Sequence, residues 1–223
     1  ATEDVCNGLD DDCDGSTDED LGSTACGLGV CAHKVANCKD GVVQVCDPME
    51  GALKIDLPET TYTDSDCDGI DGSETHAVFV DAAGGSDLNP GTRSAPKKTI
   101  QAGIDTAATT KGKQYVLVSL GSYDEDVVLH AGIGLYGRFD AAKGWQRGTA
   151  NLTVIQGGTV GLAVHGISAT TEVQGFTIKA QSASTPGASS YGVFAKDSPG
   201  LVLDACLIQA GNGGPGVKGD AGV

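Results

Sequence analysis

Seven of the eight cysteines lie at or before Cys67, and only Cys206 lies beyond it. Acidic residues are divided in the same way. Residues 1–75 contain 19 Asp and Glu but only three Lys, whereas residues 76–223 contain 11 acidic and 11 basic residues. A segment as small and polar as the first cannot bury enough apolar surface to be stable without cross-links. We therefore predict two domains: an acidic, cysteine-rich module at residues 1–75 and a neutral domain at residues 76–223.

The overall composition excludes two classes of partner. A formal net charge of −16 argues against nucleic-acid binding, because affinity for a polyanion depends on Lys and Arg. Runs of apolar residues are short, and none approaches the length of a membrane-spanning segment. Glycine, with 34 residues, is about twice as frequent as usual, which favours turn-rich β-structure.

Two Asp-rich loops share the pattern D-x-D-C-D-G. They lie at residues 10–19 and 64–72. Carboxylates at loop positions 1, 3 and 5 converge on one cation, glycine at position 6 permits a sharp turn, and a main-chain carbonyl at position 7 adds a ligand. All of these ligands are oxygen atoms, which Ca²⁺ prefers more strongly than softer metals do. The alternative is a pair of solvated acidic turns, which the duplication of the pattern disfavours.

We accordingly predict two Ca²⁺ sites. The ligands predicted for the first are Asp10, Asp12, Asp14, Asp18 and the carbonyl of Ser16, with Asn7 and Glu19 as additional candidates, and those predicted for the second are Asp64, Asp66, Asp68, Asp71 and the carbonyl of Ile70.

The first loop and the residues before it, V-C-N-G-L-D-D-D-C-D-G-S-T-D-E at residues 5–19, resemble the C-N-G-x-D-D-D-C-D-G-x-x-D-E repeat of MopE-type metal-binding proteins. The loop also resembles the calcium loops of thrombospondin type 3 repeats. The second copy departs from the repeat, since Thr60 replaces its first cysteine and Asp71-Gly72 replaces its Asp-Glu ending. The resemblance implies a bacterial protein that is secreted or displayed on the cell surface.

Disulfides are the expected state of the early cysteines. The spacing of Cys26, Cys31, Cys38 and Cys46 differs from the paired C-x₂-C of zinc modules, and these four residues allow three pairings. Cys6 and Cys13 are expected to pair and close the first loop. Cys67 and Cys206 either pair with each other or leave Cys206 as a free thiol, which we favour. Disulfides place the protein in an oxidising, extracellular setting. Two short strands are expected at residues 33–38 and 42–46.

The neutral domain is predicted to contain one helix and nine short strands. The helix spans residues 99–110, where an apolar stripe follows Pro96. The strands lie at residues 77–81, 115–120, 127–130, 133–136, 152–156, 161–165, 173–179, 191–195 and 201–209.

A weak internal repeat relates the later strands. Residues 173–180 align with residues 203–210 at a shift of 30, and residues 161–164 align with residues 192–195 at a shift of 31. Short strands that repeat at this interval indicate a parallel β-solenoid, with Phe176 stacked on Cys206 and Ile178 on Ile208. A β-sandwich is the alternative, but hairpin signals are scarce after residue 75.

A second resemblance concerns the fold. Residues 78–92 and 96–107 resemble the opening of pectate-lyase-like right-handed parallel β-helices, in which a helix caps the first coil. The predicted fold class is therefore mainly β: a right-handed parallel β-helix with one N-terminal capping helix, preceded by a small irregular disulfide-rich calcium-loop region.

A polysaccharide lyase or hydrolase is an alternative function for such a fold. Its candidate residues are not joined by a motif: Asp124, Glu125, Asp126, Arg138, Asp140 and Lys179. The lone histidines His76, His130 and His165 are interpreted as surface or packing residues.

The last residues suggest association. Gly213, Gly216, Gly219 and Gly222 keep a collagen-like period of three, although four triplets are too few for a stable triple helix. No cap follows the last strand, which favours continuation of the chain or burial against another copy. We expect an extracellular structural or adhesive protein, in which Ca²⁺ and disulfides rigidify the N-terminal module on the β-helix. Its expected partners are copies of itself, stacked end to end into a filament, or surface glycans.

Overall fold

A computed structural model describes residues 3–217 and 219. The chain divides into two compact units between Gly72 and Ser73. The first unit contains two small antiparallel sheets. In one of them, β1 (Ser23–Cys26) pairs with β2 (His33–Ala36). In the other, β3 (Cys38–Lys39) pairs with β4 (Val42–Val43) across a turn at Asp40-Gly41, so the strand predicted at residues 33–38 is divided between the two sheets. The remainder of this unit is loop, apart from one short 3₁₀ turn at Gly29–Cys31.

Three disulfides cross-link the first unit: Cys6–Cys38, Cys26–Cys46 and Cys31–Cys67. The predicted Cys6–Cys13 pair is wrong, because Cys13 is exposed and free. Tertiary packing explains the difference. The main chain at Gly8 lies against Gly41, which brings Cys6 beside the β3–β4 hairpin and therefore beside Cys38.

The other cysteines also pair over longer distances than spacing suggests. Among the four central cysteines only Cys26 and Cys46 bond to each other, while Cys31 bonds to Cys67 in the second Asp loop. Cys206 is free, as favoured, and is partly buried against the core of the second unit. Three disulfides indicate an oxidising setting for this protein.

The second unit is mainly β-structure with one α-helix. The helix α1 spans Ile100–Thr109, which confirms the prediction to within one residue at each end. The strands that the structure describes in this unit are β5 (Ala77–Val80), β6 (Tyr115–Ser119), β7 (Gly121–Tyr123), β8 (Val127–Val128), β9 (Gly134–Asp140), β10 (Gln146–Arg147), β11 (Thr153–Gly157), β12 (Val160–His165), β13 (Thr171–Gln174), β14 (Phe176–Ala180), β15 (Tyr191–Lys196), β16 (Leu201–Asp204) and β17 (Leu207–Gln209). All nine predicted strands overlap with observed strands, whereas β7 and β10 were not predicted.

These strands form three parallel sheets. The strand order is β16-β13-β9-β6-β5 in the first sheet, β17-β14-β11-β7 in the second and β15-β12-β8 in the third. The short β10 pairs with β9 in the antiparallel direction. From β6 onward the chain visits the three sheets in the same order, for example through β13, β14 and β15.

The register agrees with the internal repeat found in the sequence. Val173 pairs with Leu203 and Ile178 pairs with Ile208, both at a shift of 30 residues. Leu162 pairs with Val193 at a shift of 31. The repeat therefore corresponds to parallel pairing of successive strands.

The core of the second unit is built mostly from aliphatic side chains. Helix α1 covers part of it, with Ile100 and Ile104 almost fully buried. Gly103 allows a close approach, because a Cβ atom there would lie 2.5 Å from Val80 Cγ2 and 3.0 Å from Val116 Cγ1. Phe79 alternates with Val78 and Val80 along β5 and so lies on the other face of that strand, where the buried Trp145 packs edge-on against it with a ring separation of 4.7 Å.

The sequence also predicted a glycine period near the C-terminus and no membrane-spanning segment. Residues 211–217 form no helix or strand, and of the predicted glycine period Gly222 lies outside the described residues. Within the described part of the chain, no helix has the length and apolar character that crossing a membrane requires.

Candidate metal centre

The first Asp loop is closed by hydrogen bonds from its own main chain to its carboxylates. Asp10 accepts from the N–H of Asp14 through Oδ1 and from the N–H of Gly15 through Oδ2, both at 3.1 Å. Asp12 Oδ1 accepts from the N–H of Asp14 at 3.0 Å, and Asp14 Oδ1 accepts from the N–H of Ser16 at 2.8 Å. These bonds fix the orientation of three carboxylates within one turn of chain.

The second loop repeats this arrangement. Asp64 Oδ2 accepts from the N–H of Gly69 at 3.0 Å, Asp66 Oδ1 accepts from Asp68 at 3.4 Å, and Asp68 Oδ1 accepts from Ile70 at 3.1 Å. Position 1 therefore binds position 6, position 3 binds position 5 and position 5 binds position 7 in both loops.

The backbone angles of the two loops agree as well. The glycine at position 6 has φ +98° at Gly15 and +92° at Gly69, and the cysteine at position 4 has φ 61° at Cys13 and 64° at Cys67. The surroundings differ: Cys13 is exposed, whereas Cys67 and Ile70 are buried. The two loops thus share one conformation in two environments.

Carboxylate oxygens converge in both loops. In the first, oxygens of Asp10, Asp12 and Asp14 all lie within 4.8 Å of one another. In the second, the converging oxygens belong to Asp56, Asp64 and Asp66. One of them, Asp64 Oδ1, is buried and has no hydrogen-bond partner.

Some predicted ligand residues lie outside the two groups of converging oxygens. The Asp18 carboxylate accepts hydrogen bonds from the N–H groups of Asn7 and Gly8 at 2.8 and 3.0 Å and does not belong to the Asp10 group. Asp71 is buried and accepts from the N–H of Glu59. Asp68 is likewise outside the Asp64 group. Ser16 is exposed and Ile70 is buried, and the main-chain N–H of each donates to the carboxylate of position 5.

Asp56 was not predicted from the sequence. Its side chain is only 3% exposed, and its Oδ2 accepts from the N–H of Gly72 at 2.9 Å and of Ser65 at 3.2 Å. Burial raises the pKa of Asp56 above its ordinary value, although the two N–H donors lower it. The nearby negative charges of Asp66 and Asp64 raise the pKa further. No local motif marks Asp56, because it enters the site through tertiary hydrogen bonds.

A second group of carboxylates lies beside the first loop. Oxygens of Asp4, Asp12 and Glu19 lie within 4.8 Å of one another. Asp4 is 9% exposed, and its Oδ1 accepts from the N–H groups of Asp11 and Asp12 at 3.0 and 3.2 Å. The main-chain N–H of Glu19 lowers the pKa of its own side chain. Burial, the opposed Asp4 carboxyl and the charge of Asp14 have the larger effect together and raise that pKa to about 7. Asp4, like Asp56, was missed by the sequence analysis.

The chemistry of these groups fits a hard cation. Each offers three carboxylates and no nitrogen or sulfur ligand. Two other groups of three potential ligand residues contain disulfide-bonded cysteines: Cys26 and Cys46 with His33, and Cys6 and Cys38 with Asp18. A sulfur atom in a disulfide is not a thiolate, so these two groups do not form metal sites of the zinc type.

Four of the polar residues considered for glycan chemistry in the second unit contact the main chain. Glu125 accepts from the N–H groups of Ile100 and Gln101, at 2.7 and 3.0 Å. The other three contact separate segments: Asp126 accepts from the N–H of Gly158, Asp140 accepts from the N–H of Ala142, and Arg138 donates to the carbonyl of Ala205. Asp124 accepts from the Ser122 hydroxyl, and Lys179 lies on β14. These contacts are structural, and they are dispersed over the unit.

Comparison with known proteins gives no relative: no protein-family model, curated protein or solved structure matches the chain.

Proposed function

We propose that residues 3–72 form a calcium-binding structural module of an extracellular protein, with one Ca²⁺ in each Asp loop. The observation that carries this proposal is the hydrogen-bond pattern shared by the two loops. It binds the carboxylates at positions 1, 3 and 5 of each loop to main-chain N–H groups. Oxygens of three carboxylates then lie within 4.8 Å of one another at each loop, those of Asp10, Asp12 and Asp14 at the first and those of Asp64, Asp66 and the more distant Asp56 at the second. Two independent segments adopt this arrangement, which is the one that a cation coordinated by oxygen requires.

Electrostatics favours an occupied state of both loops. Three carboxylates whose oxygens lie within 4.8 Å of one another repel when all are ionised. A divalent cation converts that repulsion into attraction. Ca²⁺ suits the loops better than Mg²⁺ does, because Ca²⁺ accepts irregular sets of six to eight oxygens whereas Mg²⁺ demands a near-ideal octahedron.

The module needs such support because its apolar core is small. Its buried apolar side chains, among the described residues, are Cys31, Pro58, Cys67 and Ile70. Val42, Val43 and Val45 are all at least 60% exposed. Disulfides and bound cations are the usual means by which a small polar module of this kind is stabilised. Its role in this proposal is mechanical: a rigid extracellular module.

For the second unit we propose a right-handed parallel β-helix. The repeated passage of the chain through three parallel sheets supports this architecture, as does the 30-residue register. The helix α1 packs against β5 and β6, the first two strands of the unit, as a capping helix would. Disulfides in the first unit support secretion or display at the cell surface.

Metal analysis with thermal unfolding tests the calcium proposal. We expect the protein, dialysed against trace-metal-free buffer after loading, to retain Ca²⁺ and to lose thermal stability of the first unit when EGTA is added. Asp66→Asn should remove the ion of the second loop, whereas Asp47→Asn, which makes the same charge change outside the groups, should not. Absence of bound Ca²⁺ together with melting curves unaffected by EGTA would contradict the proposal.

Self-association is a second candidate property, supported by the last strands. β15, β16 and β17 each form the outer edge of a described sheet. Leu203, Leu207 and Ile208 on these strands are 38–55% exposed. Unpaired edges with exposed apolar side chains favour association with another strand. Sedimentation should show concentration-dependent association that Leu207→Lys weakens and Leu88→Lys, at a site 97% exposed, does not. Equal sedimentation of all three proteins as monomers would exclude it.

A further inference from the structure

Two carboxylate oxygens beside the first loop are buried and have no hydrogen-bond donor while both groups are ionised. They are Asp4 Oδ2 and Glu19 Oε2, and a proton on Glu19 would be shared with Asp4. The Asp4 side chain is held in place by the N–H groups of Asp11 and Asp12, which bind its other oxygen. Buried acceptors that lack a donor are uncommon in folded proteins, and each calls for a counter-charge or an ordered partner.

This pair belongs to a group distinct from the loop site. Asp4 and Glu19 converge with Asp12, whereas the loop site consists of Asp10, Asp12 and Asp14. Asp12 is common to both groups. Its Oδ1 accepts the N–H of Asp14, which fixes the orientation of this shared carboxylate. The two groups are therefore neighbours that share one carboxylate.

We propose that Asp4, Asp12 and Glu19 bind a third divalent cation, Ca²⁺ in an extracellular setting, and that Asp12 bridges it to the cation of the first loop. This inference rests on the proposed calcium-binding function and extends it. The ligands are again oxygens only, which selects a hard cation. The site opens into a cleft lined by Glu3, Asp4, Asp12, Glu19, Asp20 and Leu21, which leaves space for water to complete the coordination.

The third cation would have its own structural effect. Asp4 precedes the first disulfide cysteine, Cys6, and Glu19 is the last residue of the loop. A cation held by both residues joins the start of the module to the end of its first loop. The three disulfides do not make this connection, because Cys6 is bonded to Cys38 and Cys13, within the loop, is free.

Counting bound ions tests the proposal. Native mass spectrometry of the full chain, with disulfides intact and with Ca²⁺ supplied, should show three ions. Asp4→Asn and Glu19→Gln should each leave two, Asp14→Asn should leave two, and Asp12→Asn should leave one because it removes the bridging ligand. Asp20→Asn is the matched control, since it removes the same charge from the same cleft but lies outside the oxygen group, and it should retain three. Equilibrium dialysis should show the third ion at least tenfold weaker in Glu19→Gln.

Each other result has a definite meaning. Two ions in the unmodified protein, unchanged by Asp4→Asn and by Glu19→Gln, would overturn the third site and leave the proposed function intact. No ions at all would instead refute the proposed function. Disulfide mapping of every variant verifies the fold of the module. If Asp4→Asn fails that control, Glu19→Gln decides alone, because the Asp4 carboxylate, unlike that of Glu19, also accepts the N–H groups of Asp11 and Asp12.

Discussion

The glycine at position 6 of each Asp loop has a backbone conformation that other residues adopt only with strain. Gly15 has φ +98° and donates its N–H to Asp10. A Cβ atom at this position would meet no atom within 4 Å, so substitution by alanine is opposed by backbone strain alone. This makes Gly15 a clean probe of loop conformation.

We predict that Gly15→Ala weakens Ca²⁺ binding in the first loop about tenfold, since the left-handed backbone costs a residue with a Cβ about 1–2 kcal/mol, which the exposed loop can relieve when free but not when its carboxylates hold a cation. Calcium titration by equilibrium dialysis measures the change. Gly112→Ala is the matched control: Gly112 has φ +90°, is equally free of neighbours and lies in the second unit. Unchanged affinity in Gly15→Ala would show that Ca²⁺ binding does not select this conformation over that of the free loop.

The sequence predicted part of the candidate site and missed part of it, for one physical reason. Loop spacing is local, and it identified Asp10, Asp12 and Asp14, which the structure brings together. Asp4 and Asp56 are positioned by hydrogen bonds to main-chain groups that no spacing rule anticipates. Asp18 matches the motif but binds the Asn7–Gly8 turn instead.

Three side chains bind main-chain N–H groups at the start of helix α1. Thr99 precedes the helix, and its hydroxyl accepts from the N–H of Ala102. Glu125 accepts from the first two N–H groups of the helix. Asp87 accepts from the N–H groups of Lys98 and Thr99, both at 2.9 Å, and from the Thr99 hydroxyl. Two carboxylates at this end also complement the positive pole of the helix dipole.

Asp87 gives a pH prediction with a defined sign. Partial burial opposes ionisation, but the N–H groups of Thr99 and Lys98 outweigh it and hold the pKa of Asp87 below its ordinary value of 3.8. The stability that this carboxylate contributes is therefore complete above pH 3.8 and is lost as the pH falls through the lower folded-state pKa. We expect Asp87→Asn to lose about 1–2 kcal/mol at pH 6, and progressively less as the solution is acidified.

Urea unfolding at several pH values, monitored by Trp145 fluorescence, measures this difference. Asp105→Asn serves as control, because it removes the same charge from the exposed face of α1 itself. A penalty for Asp87→Asn that stays constant down to pH 3 would contradict the role assigned to the ionised carboxylate.

The disulfide of the second Asp loop provides a paired comparison between equivalent elements. Cys67 and Cys13 occupy the same loop position, but only Cys67 is bonded, to Cys31 across 36 residues. We predict that Cys31→Ala/Cys67→Ala destabilises the first unit by about 4 kcal/mol, from the entropy of closing a loop of this length. Cys13→Ala should change stability by less than about 0.5 kcal/mol, as expected for an exposed residue. Chemical denaturation followed by circular dichroism distinguishes the two, and equal effects would contradict the pairing.

Element prediction succeeded where the pattern was long. The strands of the second unit are rich in β-branched residues, and the 30-residue repeat identified which of them pair. β7 was missed because Gly121 and Ser122 have the composition of a turn, and the two-residue β10 is too short for any periodicity. The cystine pairing was beyond prediction, because it depends on how loops meet in space.

At the scale of the whole molecule, the two units are stabilised by different forces. The first unit contains three disulfides and the converging carboxylate groups but few buried apolar side chains. The second unit contains an extended aliphatic core, and its only cysteine, Cys206, is free. The acidic excess of the sequence lies in the first unit, where bound cations would offset it. Reduction and chelation should therefore act on one unit and not on the other.

This difference yields the final prediction. The chain has a single tryptophan, Trp145, which is 3% exposed and packs against Phe79 and Phe139, so its fluorescence reports the second unit. In reductant with EGTA, we expect the full chain to lose the unfolding transition of the first unit. The Trp145 transition should move by less than about 2 °C, the shift caused by at most 0.5 kcal/mol in a domain of about 150 residues. Reductant alone and EGTA alone separate the two contributions. Collapse of the Trp145 transition under the combined treatment would mean that the aliphatic core is insufficient, and that the second unit depends on the cross-linked first unit for its fold.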